Sequence, residues 1–269
     1  MQPTAKRFAE NKEFGRFVQP IAQKIDNLLG FRSAAYSNQN EVDEEQLSAI
    51  FSGMNKPGLL ITFEGIDGSG KTTQAFKLRD TLKRRGYAVE FLREPGGTKI
   101  SEKIRRILLD RKNEAICDRT ELLLYLAARA EVVDKVVAPA IKTGKIVIAD
   151  RFFDSTYAYQ IYGRGLPDNV VRQANRFAAT GVIPDLTFLV DLSVKEAQER
   201  LQRDKDRLEA AGLSFQRRVR RGFLQLAQSE PRRIKMLDGR DKVEDIFAEV
   251  LSHTEKLIQR RGIKAKTRK

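Results

Sequence analysis

Leu59-Leu60-Ile61-Thr62-Phe63-Glu64-Gly65-Ile66-Asp67-Gly68-Ser69-Gly70-Lys71-Thr72-Thr73 is the stretch from which the rest of the chain can be read. A short apolar run feeds directly into Gly65-Ile66-Asp67-Gly68-Ser69-Gly70-Lys71-Thr72, which fits the spacing G-x-x-x-x-G-K-[ST] of a phosphate-binding loop. The glycines let the backbone fold into a nest whose N–H groups converge on phosphate oxygens. The helix that follows adds the positive end of its dipole. Lys71 reaches the outer phosphates, and the Thr72 hydroxyl is suited to help hold Mg²⁺. Residues Gly65, Ile66, Asp67, Gly68, Ser69, Gly70, Lys71, Thr72 and Thr73 are therefore the expected nucleoside triphosphate site.

Outward from this motif the chain alternates between strand-like and helix-like runs, which predicts an α/β domain on a mainly parallel sheet. The expected strands are 59–64, 87–92, 145–149, 186–190 and 233–237. The helix after the loop should bury Ala75, Leu78 and Leu82 and end at Gly86. Thr98 should cap a second helix with Ile100, Ile104 and Leu108 inward. A long apolar helix after Thr120 is expected to break near Pro139. Ser193 and Glu196 have capping-box spacing, and Gly181 should end a helix begun near Asp168.

Residues 1–57 read as a separate appendage with seven basic and seven acidic residues, so the net charge of +14 lies wholly in residues 58–269, the expected catalytic domain. Phe14, Phe17, Ile21, Ile25 and Leu28 recur at helical spacing, and a second helix is expected around Glu44–Phe51. The basic tail, Arg260 to Lys269, is expected to be a frayed, solvated end. Cys117 is the only cysteine, which excludes an internal disulfide and favours a reducing, cytoplasmic setting; it is expected to be buried and structural. With one histidine (His253) and one cysteine, a zinc site or a Cys–His nucleophile is excluded. No apolar run is long enough to cross a membrane.

Ligands of a parallel sheet gather at the carboxyl ends of its strands. There the sequence places Arg93-Glu94-Pro95-Gly96-Gly97, Asp150-Arg151 and Asp191, a charged rim suited to a second anion. Tyr125 and Arg129, four residues apart, share a helix face and could offer a ring to stack on a base and a planar donor to its edge. Ser155 with Tyr159, and Thr156 with Gln160, form a polar wall suited to a nucleoside. In Tyr162-Gly163-Arg164-Gly165-Leu166, glycines flank an arginine, as in a loop (about 162–169) able to swing a charge onto transferring phosphates.

This ordered set, together with Pro184-Asp185-Leu186, resembles the thymidylate kinases from Leu59 to the C-terminal helix. The resemblance implies a P-loop nucleoside monophosphate kinase fold, a five-stranded parallel sheet flanked by helices. It also implies transfer of phosphate from ATP to dTMP with Mg²⁺, in a homodimer. By motif position Lys71, Arg151, Arg164 and Asp67 would be catalytic. Asp67, Arg105, Tyr125, Arg129, Arg151, Ser155, Thr156, Tyr159 and Gln160 would hold dTMP, and Thr72 and Asp150 the metal. Gly68 stands where one design of the family carries a basic residue, so the resemblance assigns the catalytic arginine to Arg164 in the lid. The sequence leaves open another nucleoside monophosphate or deoxynucleoside kinase and, further off, a nucleic-acid-dependent ATPase.

Overall fold

The computed structural model describes residues 58–113, 115–201 and 206–265. The two helices expected within residues 1–57 and the last four residues of the basic tail lie outside the described residues. Five strands, β1 (Leu59–Glu64), β2 (Val89–Arg93), β3 (Ile146–Asp150), β4 (Leu186–Asp191) and β5 (Ile234–Asp238), form one all-parallel sheet in the order β2-β3-β1-β4-β5. All five lie within two residues of their expected positions.

β1 and β3 are buried throughout, as the continuous apolar runs of a sheet covered on both faces require. Alternate residues serve opposite layers. Leu59, Ile61 and Phe63 of β1 pack with Ala75, Leu78 and Leu82 of α1 (Lys71–Arg84) and with Ile246 and Val250 of α9 (Val243–Arg261). On the other face, Leu60, Val147 and Leu189 meet the layer that includes α3 (Asp118–Val132) and α8 (Leu213–Ser229). Between them in sequence lie α2 (Lys99–Leu109), α4 (Ala138–Lys142), α5 (Phe153–Thr156), α6 (Asp168–Ala178) and α7 (Val194–Arg200). α7 starts with the expected capping box on Ser193 and Glu196.

The sheet order has its topological switch beside β1, whose carboxyl end carries the phosphate-binding loop. The break before Pro139 is a π-helical stretch, Val133–Val137, joining α3 to α4. Proline supplies no N–H to the preceding turn, and the wider turn absorbs the mismatch. A second π-helical stretch, Tyr157–Gly163, extends α5 toward α6.

Three expectations need correction. Ile100 is 53% exposed, because α2 turns Ser101 and Leu108 inward; the Ser101 hydroxyl donates to the Ala128 carbonyl, a contact a bulky apolar residue could not make. Cys117 is exposed at the N-cap of α3, where its Sγ lies 3.1 Å from Thr120 Oγ1, while Leu122 and Leu126 carry the burial. The basic tail is anchored at its start: Arg261 closes α9 and donates to Asp185 Oδ1 at 3.0 Å, just before β4.

Candidate active site

The loop after β1 takes the shape its glycines permit. Gly68 has φ +86°, and a Cβ there would lie 2.2 Å from the Ala197 carbonyl oxygen of α7. No side chain, and so no arginine, fits at this position. Gly70 is the N-cap of α1, and Lys71 begins the helix, so the first free N–H groups of α1 face the loop. Lys71 is almost fully buried and donates to Asp67 Oδ1 at 3.0 Å.

Asp67 also accepts from Arg151 Nη2 at 2.7 Å, and the Tyr159 hydroxyl lies 3.4 Å from its Oδ2. Burial alone would raise this carboxyl, but Arg151 and Lys71 outweigh it and hold Asp67 well below the usual carboxylate range. Arg151 follows β3 with φ +68°, a left-handed conformation that is rare away from glycine. Its amide donates to the Phe63 carbonyl, and its guanidinium to Ser155 Oγ at 3.2 Å and Tyr159 Oη at 3.1 Å. The strained turn aims Arg151 across the end of β1 instead of outward.

Beneath Arg151 sits Glu64, the last residue of β1 and 1% exposed. It accepts from the Phe152 amide at 2.8 Å and from Ser155 Oγ at 2.6 Å. Burial, and then the charge of Asp154, push its carboxyl up to about 8. Asp150, last in β3, accepts the Thr72 hydroxyl on Oδ2 at 2.6 Å. Its Oδ1 is buried and unbonded among the described residues, as is Glu94 Oε1.

An open cavity joins these groups to a second wall. It runs from Asp67, Lys71 and Thr72 past Arg93, Arg105 and Arg151 to Tyr125, Thr156, Tyr159 and Gln160. Arg105 is fixed by donating to the Pro95 carbonyl at 2.9 Å. Tyr125 presents its half-buried ring to the cavity, and burial followed by the Glu121 charge raises its phenol. Arg129 lines the same wall, but all its N–H groups are engaged: with Glu94 Oε2 twice, Thr156 Oγ1, Asn175 Oδ1 and the Phe152 carbonyl. Any ligand there meets a guanidinium already fixed in place by four residues.

Arg164 sits differently from the expected swinging lid. The preceding Gly163 is buried against Phe215 and Val219, where a Cβ would lie 2.7 Å from the Phe215 ring, and its carbonyl accepts from Arg218. Glycine at this point serves close packing. Arg164 itself does not line the cavity; it pairs with Glu121, donating from Nε at 3.0 Å and Nη2 at 2.7 Å.

The family model described as thymidylate kinase matches residues 63–250, more than half of the chain and all of the rim just described. The chain belongs to the thymidylate kinase family. It is 44% identical over 202 residues to a thymidylate kinase of Thermoanaerobacter sp. (strain X514), covering 75% of this chain and 99% of that one. It is 48% identical over 201 residues to a thymidylate kinase of Chlorobium luteolum, covering 71% and 94%. Among solved structures, thymidylate kinase from Ehrlichia chaffeensis superposes with a TM-score of 0.61 at 35% identity, over 74% of this chain and 98% of that one. Residues 1–57 lie outside the span of the family model.

Sequence reasoning missed three features in or beside this cavity of the thymidylate kinase fold. Glu64 reads as the end of a strand, and Glu121 as one more charge in the first turn of an apolar helix. Asp206 and Leu208 line the cavity from a segment after α7 that carries no recognisable motif. Glu121 had one usable signal: it stands four residues before Tyr125 on the same helix face.

Proposed function

We propose that the protein transfers the terminal phosphoryl group of ATP to dTMP. The observation that carries this reading is one continuous cavity leading from Lys71 and Thr72 of the phosphate-binding loop, past Arg151, to the ring of Tyr125. ATP phosphates lie in the nest of Gly65–Thr73 at the start of α1. The acceptor phosphate lies among Arg151, Arg105 and Arg93, and the base against Tyr125 with Arg129, Thr156 and Gln160 around its edge. Tyr159, fixed by its hydroxyl contact with Arg151, stands beside the sugar.

The dTMP phosphate is itself the nucleophile, so the reaction needs charge neutralisation and alignment more than a strong base. Lys71 and Arg151 converge on Asp67 Oδ1 at 3.0 and 2.7 Å, which holds two cations near the point where donor and acceptor phosphates meet. Arg164, in the Glu121 pair, reaches that point only by breaking two charge-assisted hydrogen bonds.

The residues present suit Mg²⁺. Thr72 and Asp150 would hold it, with the unbonded Asp150 Oδ1 as the free carboxylate oxygen. Among the described residues no three His, Cys, Asp or Glu side chains converge to cage a metal. A site with one carboxylate that relies on substrate phosphates is the usual Mg²⁺ arrangement. When bound, the ion would neutralise negative charge on the phosphates.

The protein also pairs with a second copy of itself. This reading is supported by Leu123 on α3 and Val170 and Phe177 on α6, apolar side chains 63%, 53% and 85% exposed on two adjacent helices, which a second copy would cover. The deciding assay for the substrate is turnover of dTMP, dUMP, UMP and dCMP with ATP. Preference for dTMP is expected; equal use of UMP would overturn the assignment.

A further inference from the structure

Glu121 is fully buried, yet no part of the proposed reaction uses it. It lies in the first turn of α3, where the helix dipole favours an anion. Three side chains from two other segments converge on it. Gln160 Nε2 donates to Oε1 at 3.1 Å, Arg164 spans both oxygens, and Arg207 Nη2 lies 2.7 Å from Oε2. Gln160 lies in the π-helical stretch Tyr157–Gly163 and Arg164 caps it four residues on, and both address the same carboxylate. Burial alone would raise the carboxyl, but Arg164 and Arg207 hold it below its ordinary value, so it is ionised and can only accept hydrogen bonds.

That fixes an orientation that the side chain of Gln160 could not fix alone. An amide facing a carboxylate must present its NH₂ to it. The Gln160 carbonyl oxygen is then the polar atom left for the cavity, and it accepts no hydrogen bond among the described residues. We propose that Glu121 is a specificity-determining positioning residue: it locks Gln160 with its carbonyl toward the base, so the site takes a pyrimidine whose ring N3 carries hydrogen and rejects cytosine, whose N3 is an acceptor. This rests on the dTMP assignment above. A site built around a buried acceptor discriminates strongly against a ligand that leaves it unpaired.

The test is Glu121→Gln. In this variant the two arginines hold the carbonyl of the introduced amide at the former Oε2 position, so its NH₂ faces Gln160 and turns that amide over. The Gln160 NH₂ then faces the cavity. The ratio of kcat/KM for dTMP to that for dCMP should fall at least ~10-fold, and it is insensitive to the fraction of folded enzyme. The exchange Glu121→Gln with Gln160→Glu puts an acceptor back into the cavity and should restore the ratio while keeping one buried carboxylate. An unchanged ratio in the single variant, or a lowered one in the exchange, overturns the proposal. Wild-type enzyme that fails to use dTMP would instead overturn the substrate assignment.

Discussion

Replacing Arg129 by lysine tests whether the wall of the cavity is built as described. Arg129 is 2% exposed and makes five hydrogen bonds, to Glu94, Thr156, Asn175 and the Phe152 carbonyl. Lysine keeps the charge but offers three donors in place of five. Glu94 Oε2 takes two of the five bonds, so at least one of them is lost and at least one of the four acceptors is left dry, the latter at a cost of about 1–3 kcal/mol. The lost bond to the Glu94 carboxylate adds about 1.5–3 kcal/mol, and the sum, about 2.5–6 kcal/mol, overlaps the ~3–5 kcal/mol for breaking a buried ion pair outright. At this domain size each kcal/mol moves the melting temperature by about 2–4 °C. Arg129→Lys should therefore melt at least about 5 °C below wild type in a thermal scan followed by circular dichroism. The KM for dTMP should rise, because Glu94 and Thr156 line the cavity and lose their anchor. Arg129→Met should be worse, stranding Glu94, whose carboxyl burial already raises. A lysine variant melting within about 2 °C of wild type would mean instead that the guanidinium donors are dispensable and that the wall is not held by them.

Lys71→Ala should lower kcat by ~10²-fold or more with the fold intact by circular dichroism; a loss under tenfold would remove Lys71 from the charge balance. Gly68→Ala should abolish ATP binding or folding, because its Cβ meets the Ala197 carbonyl at 2.2 Å and its φ is +86°; a normal KM for ATP would contradict the close approach of α7. Glu64 has a folded-state carboxyl raised from 4.5 to about 8, so the folded state binds the proton more tightly. Its contribution is complete below about pH 4.5 and is lost as pH rises toward 8, at a limiting ~1.4 kcal/mol per pH unit. Urea titrations should show wild type losing stability relative to Glu64→Gln across that window, and parallel profiles would count against it. Phe177→Glu places a charge on the exposed face of α6 and should yield monomers in light scattering; an unchanged mass would move the subunit contact elsewhere.

What the sequence made legible was whatever depends on neighbours within one turn. The phosphate-binding loop, the capping box at Ser193 and the inward stripe Ala75, Leu78 and Leu82 are local and appear as read. Pairings across the fold stayed hidden. Glu121 meets Gln160, Arg164 and Arg207, all 39 or more positions away, and a lone glutamate gives no hint of which arginines will arrive. Arg129 was legible as a cavity residue by its spacing from Tyr125, but its five engaged donors were not. Gly163 invited a reading as a hinge, because the sequence cannot distinguish a glycine kept for motion from one kept because Phe215 presses on it. At Ile100 the error was one of phase: a helix face defined by apolar residues alone overlooked Ser101, which is buried through its bond to Ala128.

The site's electrostatics follow from the strand register. Parallel pairing sets Asp150 level with Phe63 and with Arg93, so the residues at and after three strand ends form one rim. Glu64, Asp150 with Arg151, and Arg93 with Glu94 are thereby brought beside the loop that carries Asp67 and Lys71. Five basic side chains (Lys71, Arg93, Arg105, Arg129, Arg151) line the cavity with four acidic ones (Asp67, Glu94, Asp150, Asp206). Such a cluster of cations would repel itself apart without the interleaved carboxylates; Asp67 holds Lys71 and Arg151 on one oxygen, and Glu94 holds Arg129. The carboxylates thus keep the cations in place before substrate arrives. Phosphate oxygens then approach donors that are already aimed, and little reorganisation is left for the moment of transfer.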